Sequence, residues 1–207
     1  MDTILQYITE NKLDVLGTLL GFLYLILEFR TSIWMWVVGC IMPAIYIVVL
    51  YQKGIYADCL MEVYYFLAGV YGLVYWLAGK DKDGKNVSIC KTPRHLWSRL
   101  SLVFIIIFAG IGSFLREFTD STIPWQDAFT TSLSVIGMWM LSRKYIEQWG
   151  VWFVVDLAST ALYIYKDVYG RAVLYGIYTA MAVYGYFIWR KHDRENLNLN
   201  PNLNLEP

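Results

Sequence analysis

The chain has 207 residues, of which 57% are hydrophobic and only 16% are charged. Soluble domains average roughly 45–50% apolar and about 25% charged residues, so this composition excludes an ordinary water-soluble protein. The 17 basic and 17 acidic residues cancel, which gives no reason to expect a nucleic acid or another polyanion as partner.

Seven apolar segments follow one another along the chain, and a helix of ~20 apolar residues crosses the bilayer. We predict transmembrane helices over Leu13–Leu27, Ile33–Leu50, Ala57–Leu77, Leu100–Leu115, Ala128–Leu141, Trp149–Tyr165 and Val173–Trp189. The fourth and fifth segments are short, and their helices can begin earlier, at Leu96 and Ile123. Residues 1–194 are therefore predicted to form one all-α membrane domain, followed by a disordered Asn- and Leu-rich tail over residues 195–207.

Basic residues distinguish the two sides of the predicted membrane. With seven spans, five Lys and Arg residues lie on the side of the N-terminus and twelve lie on the opposite side. Because cytoplasmic loops carry the excess of basic residues, we expect the N-terminus outside and the C-terminus in the cytoplasm. Asp2 and Glu10 stand where a cleavable signal would be basic, so no such signal is predicted.

The sequence contains no pattern typical of an enzyme or of a metal site. The three cysteines fit no metal-ligand spacing, and both histidines fall in predicted cytoplasmic segments. A glycine-rich phosphate loop is missing, and the last span has no lysine that could hold a retinal. We therefore predict a protein that is not an enzyme and uses neither a metal nor a cofactor.

A pattern near the end of the third span recurs in the seventh. The motif V-Y-G-x-x-x-W occupies Val70–Trp76 and again Val183–Trp189. We call the spacing that carries Val70 onto Val183 the repeat offset. It predicts a duplication in which repeat one covers about 13–77, a linker helix about 96–115, and repeat two about 123–189. Parallel repeats of this kind are a transporter device, with the substrate held between the halves near mid-membrane.

Two acidic residues lie more than one helical turn inside a predicted span, Glu62 in the third and Asp156 near the centre of the sixth, whereas Asp14 and Asp58 lie at span ends and can reach the interface. A carboxylate at that depth costs ~2.5–3.5 kcal/mol on insertion scales, so each needs a reason to be there. Trp149, Trp152 and Asp156 share one helix face, and two indoles with a carboxylate can bind a flat cation. The alternative is a protonated or hydrogen-bonded Asp156 beside tryptophans that only anchor the membrane interface.

Several short stretches in the right order resemble the PnuC family of bacterial vitamin-precursor transporters. They are Glu28–Arg30, Ile33–Trp36, Gly54–Asp58, Lys144–Trp152 with Asp156, and Leu174–Tyr175. The resemblance implies a three-one-three helix fold similar to the sugar-transporting SWEET proteins, a homotrimer, and a place in the bacterial inner membrane. It also implies facilitated diffusion of nicotinamide riboside or thiamine, which cytoplasmic phosphorylation then traps.

The resemblance places the substrate among aromatic and polar residues of the third and sixth spans, and the repeat offset adds the counterparts of Glu62 and Tyr65 in the seventh, Tyr175 and Tyr178. The predicted substrate-binding residues are Glu62, Tyr65, Trp149, Trp152, Asp156, Tyr175 and Tyr178. The nicotinamide riboside branch carries amides at the positions of Glu62 and Asp156, whereas this chain has two acids. We therefore predict thiamine as the substrate and keep nicotinamide riboside as the alternative, since both ligands are cationic and charge alone does not separate them.

Overall fold

Seven α-helices make up most of the residues that the computed structural model describes, which are residues 12–54, 56–78, 88–119 and 122–199. Each predicted span falls on one of these helices, so the all-helical prediction is confirmed. In chain order the helices are α1 (Lys12–Phe29), α2 (Trp34–Gln52), α3 (Tyr56–Ala78), α4 (Arg94–Phe118), α5 (Pro124–Ser142), α6 (Gln148–Tyr165) and α7 (Tyr169–Leu199).

The helices belong to two compact units. The first unit is Met1–Gly84 with α1, α2 and α3, and the second is Lys85–Pro207 with α4 through α7. Within each unit, helices that follow one another in the chain pack side by side. The predicted linker helix corresponds to α4, and it belongs to the second unit because it packs against α5.

Four helices of the described chain, α2, α3, α4 and α7, contain segments long and apolar enough to cross a membrane. The described apolar part of α1, Val15–Phe29, is shorter. Helices α5 and α6 instead carry several polar side chains that are buried within the second unit. Polar groups at membrane depth are tolerated where they face protein, which explains the lower apolarity of these two helices. That all seven helices cross the membrane stays a prediction.

Two helices extend beyond their predicted bounds. Helix α4 covers Arg94–Phe118 rather than 96–115, because Pro93 marks its start and Arg116 suits the negative end of its dipole. Helix α7 continues to Leu199, so residues 195–199 are helical where disorder was predicted. The rest of the predicted tail, residues 200–207, lies outside the described residues.

The turns of α1–α3 and of α5–α7 have the same backbone course. Thr31 and Lys144, which the repeat offset relates, both have positive φ angles, 49° and 57°. Gly54 and Asp167 are related in the same way, with φ angles of 73° and 57°. The main-chain N–H groups of Thr31 and Lys144 each donate to the carbonyl three residues earlier, at 2.9 Å in both turns. The offset seen in the sequence therefore applies to both turns of each triplet.

A pair of tryptophans also recurs at this offset. The ring centres of Trp36 and Trp76 are 5.6 Å apart with planes at 87°, and those of Trp149 and Trp189 are 5.7 Å apart at 87°. All four indoles are buried. Edge-to-face contact is a favoured aromatic geometry, and here it joins α2 to α3 and α6 to α7. The turns and these pairs both follow the repeat offset, and the duplication itself stays a prediction.

A glycine opposite each pair lets the helices approach. A Cβ atom added at Gly185 would come within 2.6 Å of the Trp149 ring, and one added at Gly72 would overlap the ring of Trp36. Small residues allow membrane helices to pack closely, and here each glycine makes room for one indole.

A ring-on-glycine contact also joins the first two helices of each triplet, but with the roles exchanged. In the first unit the ring of Tyr24 on α1 lies over Gly39 on α2, 2.9 Å from an added Cβ. In the second unit the ring of Trp152 on α6 lies over Gly137 on α5, 3.2 Å from an added Cβ. At the repeat offset Tyr24 corresponds to Gly137 and Gly39 to Trp152. Both units therefore have the contact, but the ring lies on the first helix of one triplet and on the second helix of the other.

A short extended segment before α4 pairs with the α5–α6 turn. Cys90 N–H donates to the carbonyl of Lys144 at 3.2 Å, and Ile146 N–H donates to the carbonyl of Cys90 at 3.0 Å. Thr92 donates from its main-chain N–H and its Oγ1 to one carboxylate oxygen of Glu147, at 2.8 and 2.7 Å. We call these five residues the linker clasp. It fixes the start of α4 to the second triplet.

Candidate functional site

Helix α6 carries most of its candidate residues in one row that faces α7. Trp149, Asp156 and Tyr163 are seven residues apart, so they lie on one side of the helix along about 21 Å of its length. The α7 residues opposite them form a second row. We call the two rows the α6–α7 seam, which consists of Trp149, Asp156 and Tyr163 with Arg171, Tyr175, Tyr178, Gly185 and Trp189.

Trp149 lies at one end of the seam and is 1% exposed. Its ring fits over Gly185 and meets the edge of Trp189, as described above. The structure therefore places Trp149 in helix packing, and a ligand would have to separate α6 from α7 to reach its face.

Trp152 lies one turn further along α6 and leans toward α5, over Gly137. Its side chain is half-buried, unlike that of Trp149. The two tryptophans that the sequence assigned to one stripe thus have different neighbours, α7 for Trp149 and α5 for Trp152.

Asp156 occupies the middle of the seam and is only 8% exposed. Tyr178 of α7 lies within electrostatic range of its carboxyl group. The Thr160 hydroxyl donates to the main-chain carbonyl of Asp156 at 2.8 Å, so this hydrogen bond goes to the helix backbone and not to the carboxyl group. A carboxylate accepts hydrogen bonds and attracts cations, so Asp156 can bind a donor or a positive charge that enters the second unit.

Three tyrosine rings continue the seam from Asp156 toward the turn between α6 and α7. Tyr175 stacks on Tyr163 with ring centres 5.2 Å apart and planes at 23°. Tyr178 meets the edge of Tyr175 at 5.9 Å and 78°. The rings are half-buried and offer both faces and edges, so this part of the seam can bind a flat ligand.

The remaining candidates, Glu62 and Tyr65, lie on α3 in the first unit and are half-buried. The ring of Tyr65 is 5.4 Å from that of its neighbour Tyr64. Trp76, near the other end of α3, is buried. Five of the seven predicted residues therefore belong to the second unit, where Asp156, Tyr178 and Tyr175 lie next to one another, whereas Glu62 and Tyr65 belong to the first.

Sequence reasoning missed three members of this region, namely Tyr163, Arg171 and Gly137. A signal for Tyr163 was present, because it follows Asp156 by seven residues on the same face. The sequence points to Gly137 only when the two repeats are aligned, because Gly137 then stands opposite Tyr24. The sequence of α7 alone gives no sign that Arg171 belongs to this region.

Comparison with known proteins identifies relatives that match most of this chain. The model of the nicotinamide mononucleotide transporter family matches residues 11–191. The nicotinamide riboside transporter PnuC of Escherichia coli strain K12 is 23% identical over 207 residues, covering 88% of this chain and 87% of that protein. The riboflavin/roseoflavin transporter RibM of Streptomyces davaonensis is 25% identical over 185 residues, covering 88% of this chain and 86% of that protein.

A solved structure shares the fold. The crystal structure of the vitamin B3 transporter PnuC superimposes with a TM-score of 0.72 at 18% identity, covering 94% of this chain and 87% of that chain. The similarity spans both units and all seven helices of the described chain. Because the family match extends over most of the sequence, this chain belongs to the nicotinamide mononucleotide transporter family, which includes the PnuC membrane transporters.

Proposed function

We propose that this protein carries a flat, cationic vitamin across the inner membrane of a bacterium, with nicotinamide riboside as its main substrate. The observation that supports it most is Asp156, a buried carboxyl group beside tyrosine rings in the middle of the α6–α7 seam. A pyridinium ring there would gain charge attraction from the carboxylate and cation–π attraction from the rings. Relatives named for nicotinamide riboside favour this ligand over the thiamine that the sequence suggested.

The candidate residues have separate roles in this proposal. Asp156 faces the positive ring, and Tyr175 and Tyr178 provide the aromatic surfaces on α7. Trp152 contacts the ligand from the α5 side, where its half-buried ring already lies over Gly137. Glu62 and Tyr65 lie on α3 in the first unit, and their part in binding stays a prediction from the sequence.

Trp149 has a positioning role in this proposal. Its burial and its fit over Gly185 mean that it sets the distance between α6 and α7. A change of this ring therefore alters the seam as a whole, and its effect on affinity is indirect.

Transport is proposed to be facilitated diffusion, with phosphorylation in the cytoplasm trapping the product. The sequence has no nucleotide-binding motif and no run of ionisable residues within a span that would relay protons. The excess of basic residues on one side supports an outside N-terminus and a cytoplasmic C-terminus. The family resemblance supports a homotrimer.

Thiamine is the second candidate because the two positions where the nicotinamide riboside branch carries amides, Glu62 and Asp156, are acids in this chain. An ionised carboxylate accepts hydrogen bonds from an amino group but cannot donate to a carboxamide oxygen. The aminopyrimidine of thiamine provides such an amino group, whereas the carboxamide of nicotinamide riboside needs a donor as well as an acceptor. A site built around one hydrogen-bond pattern rejects ligands with another, so the two vitamins can be separated experimentally.

The test compares nicotinamide riboside, thiamine and riboflavin as ligands of the purified protein. We expect nicotinamide riboside to raise the melting temperature most and to equilibrate across proteoliposomes without ATP, sodium or a pH gradient. Asp156→Asn should weaken its binding about tenfold, equivalent to ~1.4 kcal/mol. If only thiamine raises the melting temperature, thiamine is the substrate and nicotinamide riboside is not. Accumulation above equilibrium driven by an ion gradient would disprove facilitated diffusion.

A further inference from the structure

The α6–α7 seam has an exposed end that the proposed binding role leaves unused. Arg171, in the first turn of α7, places its guanidinium carbon 5.6 Å from the centre of the Tyr163 ring. Its Nη1 lies 3.5 Å from the Tyr163 hydroxyl. Arg171 is exposed and Tyr163 is half-buried, so the guanidinium lies over a ring that is still partly accessible.

The covered ring belongs to a continuous series of contacts that reaches Asp156. Tyr163 stacks on Tyr175, Tyr175 meets Tyr178, and Tyr178 lies within electrostatic range of Asp156. Along α6 this distance is two helical turns, about 10 Å. A ligand that moves along the seam to Asp156 from this end therefore meets the Tyr163 ring first.

We propose that the stacked Tyr163 and Tyr175 rings form an outer recognition subsite for planar cationic rings, and that Arg171 occupies it while no ligand is bound. A guanidinium group is planar, permanently charged and stacks on aromatic faces, as a pyridinium ring does. The ligand and Arg171 compete for one ring, because two like charges over the same face repel. The subsite rests on the proposed function, since it precedes the carboxyl group of Asp156 on the same path.

The first unit provides an internal comparison for this arrangement. At the repeat offset, Tyr163 corresponds to Leu50 and Arg171 to Asp58. A leucine has no aromatic face and an aspartate has no positive charge, so no cation–π contact exists between these residue types. The α2–α3 turn has a positive φ at the related position, 73° at Gly54 against 57° at Asp167, so the pair distinguishes the second turn from the first by residue type.

The experiment measures equilibrium binding of nicotinamide riboside, thiamine, riboflavin and the small planar cation 1-methylnicotinamide to purified variants. Arg171→Gln should strengthen binding of the cations about two- to fivefold, the equivalent of one exposed cation–π contact, and leave riboflavin unchanged. Lys166→Gln is the matched control, because it removes one exposed positive charge from the same turn without uncovering a ring. Equal gains for Arg171→Gln and Lys166→Gln would contradict the subsite.

A double-mutant cycle tests whether the effect depends on the ring. Tyr163→Leu should weaken binding of the cations and abolish the gain from Arg171→Gln, whereas Tyr163→Phe should retain the gain. If the Tyr163→Leu variant is poorly folded, Tyr163→Met replaces it as the variant without a ring. A gain from Arg171→Gln that persists without the ring, or that extends equally to riboflavin, would overturn the proposal.

The outcomes also separate the subsite from the proposed function. If the unmodified protein binds no vitamin while Arg171→Gln binds 1-methylnicotinamide in a Tyr163-dependent manner, the substrate assignment fails and the subsite stands. If the unmodified protein binds a vitamin and Arg171→Gln changes only its melting temperature, the pair is a structural anchor and the subsite is wrong. If neither protein binds any planar cation, the subsite is also wrong.

Discussion

Helices α1–α3 and α5–α7 have matching turns and matching tryptophan pairs, but they differ in what they bury. The buried side chains of α6 include Gln148, Asp156 and Ser159, and those of α5 include three serines. At the positions of Gln148 and Asp156, α2 instead has Met35, which is fully buried, and Pro43. The comparison separates features common to both triplets from the buried polar side chains of α5 and α6; in the first triplet the buried carboxyl group is instead Glu28, at the end of α1.

The shared features lie where the backbone changes direction or where two helices come closest. The positive φ angles at Thr31 and Lys144 and the ring-on-glycine contacts belong to this group. The distinct features lie along the seam between α6 and α7. Substitutions of the shared features should therefore lower stability by similar amounts in both units. Substitutions along the α6–α7 seam of the second unit should instead change the affinity for the ligand.

The largest expected effect comes from the glycines beneath the tryptophan pairs. Gly72→Ala and Gly185→Ala should each lower the free energy of unfolding by up to about 3 kcal/mol, because the added methyl group overpacks a buried indole. Gly150→Ala is the control, since nothing lies within 4 Å of its added Cβ. Thermal unfolding in detergent measures all three. If only one of the two glycines proves sensitive, the tryptophan pairs are not equivalent; Trp149→Phe should partly rescue Gly185→Ala.

The second effect separates packing from binding at the exchanged ring-on-glycine contacts. Tyr24→Ala and Trp152→Ala should lower stability by similar amounts, because each empties the space over a glycine. Only Trp152→Ala should also weaken substrate binding, by about 2 kcal/mol or roughly thirtyfold if its ring stacks on the ligand cation. Isothermal titration on folded protein provides the measurement. An equal loss of affinity in Tyr24→Ala would mean that Trp152 acts through the fold.

A smaller effect is expected at the linker clasp, whose five residues belong to the second unit. Thr92→Val keeps the side-chain shape but removes the hydroxyl that donates to Glu147. A hydrogen bond to a charged acceptor contributes about 1.5 kcal/mol, so the melting temperature should fall by a few degrees. Ser98→Ala removes an exposed hydroxyl that bonds within α4 and should change little. An unchanged melting temperature for Thr92→Val would show that the main-chain pairing alone holds the segment.

The smallest effect concerns the second turn of each triplet, where Gly54 and Asp167 have positive φ angles. Glycine adopts this conformation without steric cost, whereas aspartate tolerates it at some cost. Gly54→Asp should lower the free energy of unfolding by up to about 1 kcal/mol, and Asp167→Gly should raise it by a similar amount. Measured together, the two exchanges should nearly cancel, and a large net change would mean that the two turns are not equivalent.

The helices were predictable because their information is local. Runs of apolar residues define them, and the recurring V-Y-G-x-x-x-W pattern pointed to the offset that the turns and tryptophan pairs follow. The membership of the chain in a transporter family also followed from short ordered stretches. The preference for thiamine came from two acids alone, and it was weaker evidence than the relatives provide.

The packing details were not predictable, because they depend on partners far apart in the chain. Trp149 and Trp152 share a stripe in the sequence, yet one ring turns to α7 and the other to α5. Thr92 and Glu147 are 55 residues apart, in loops without periodicity. The contact between Arg171 and Tyr163 crosses a turn, so neither helix alone reveals it.

The exchanged contacts, Tyr24 over Gly39 and Trp152 over Gly137, also have an evolutionary consequence. Changing one partner alone would leave either two rings competing for the same space or two glycines facing a void. Each contact is therefore an epistatic pair, in which the effect of one substitution depends on the state of its partner. No single substitution converts one arrangement into the other. Descendants of this chain should therefore keep each ring and each glycine on its present helix long after other positions have diverged.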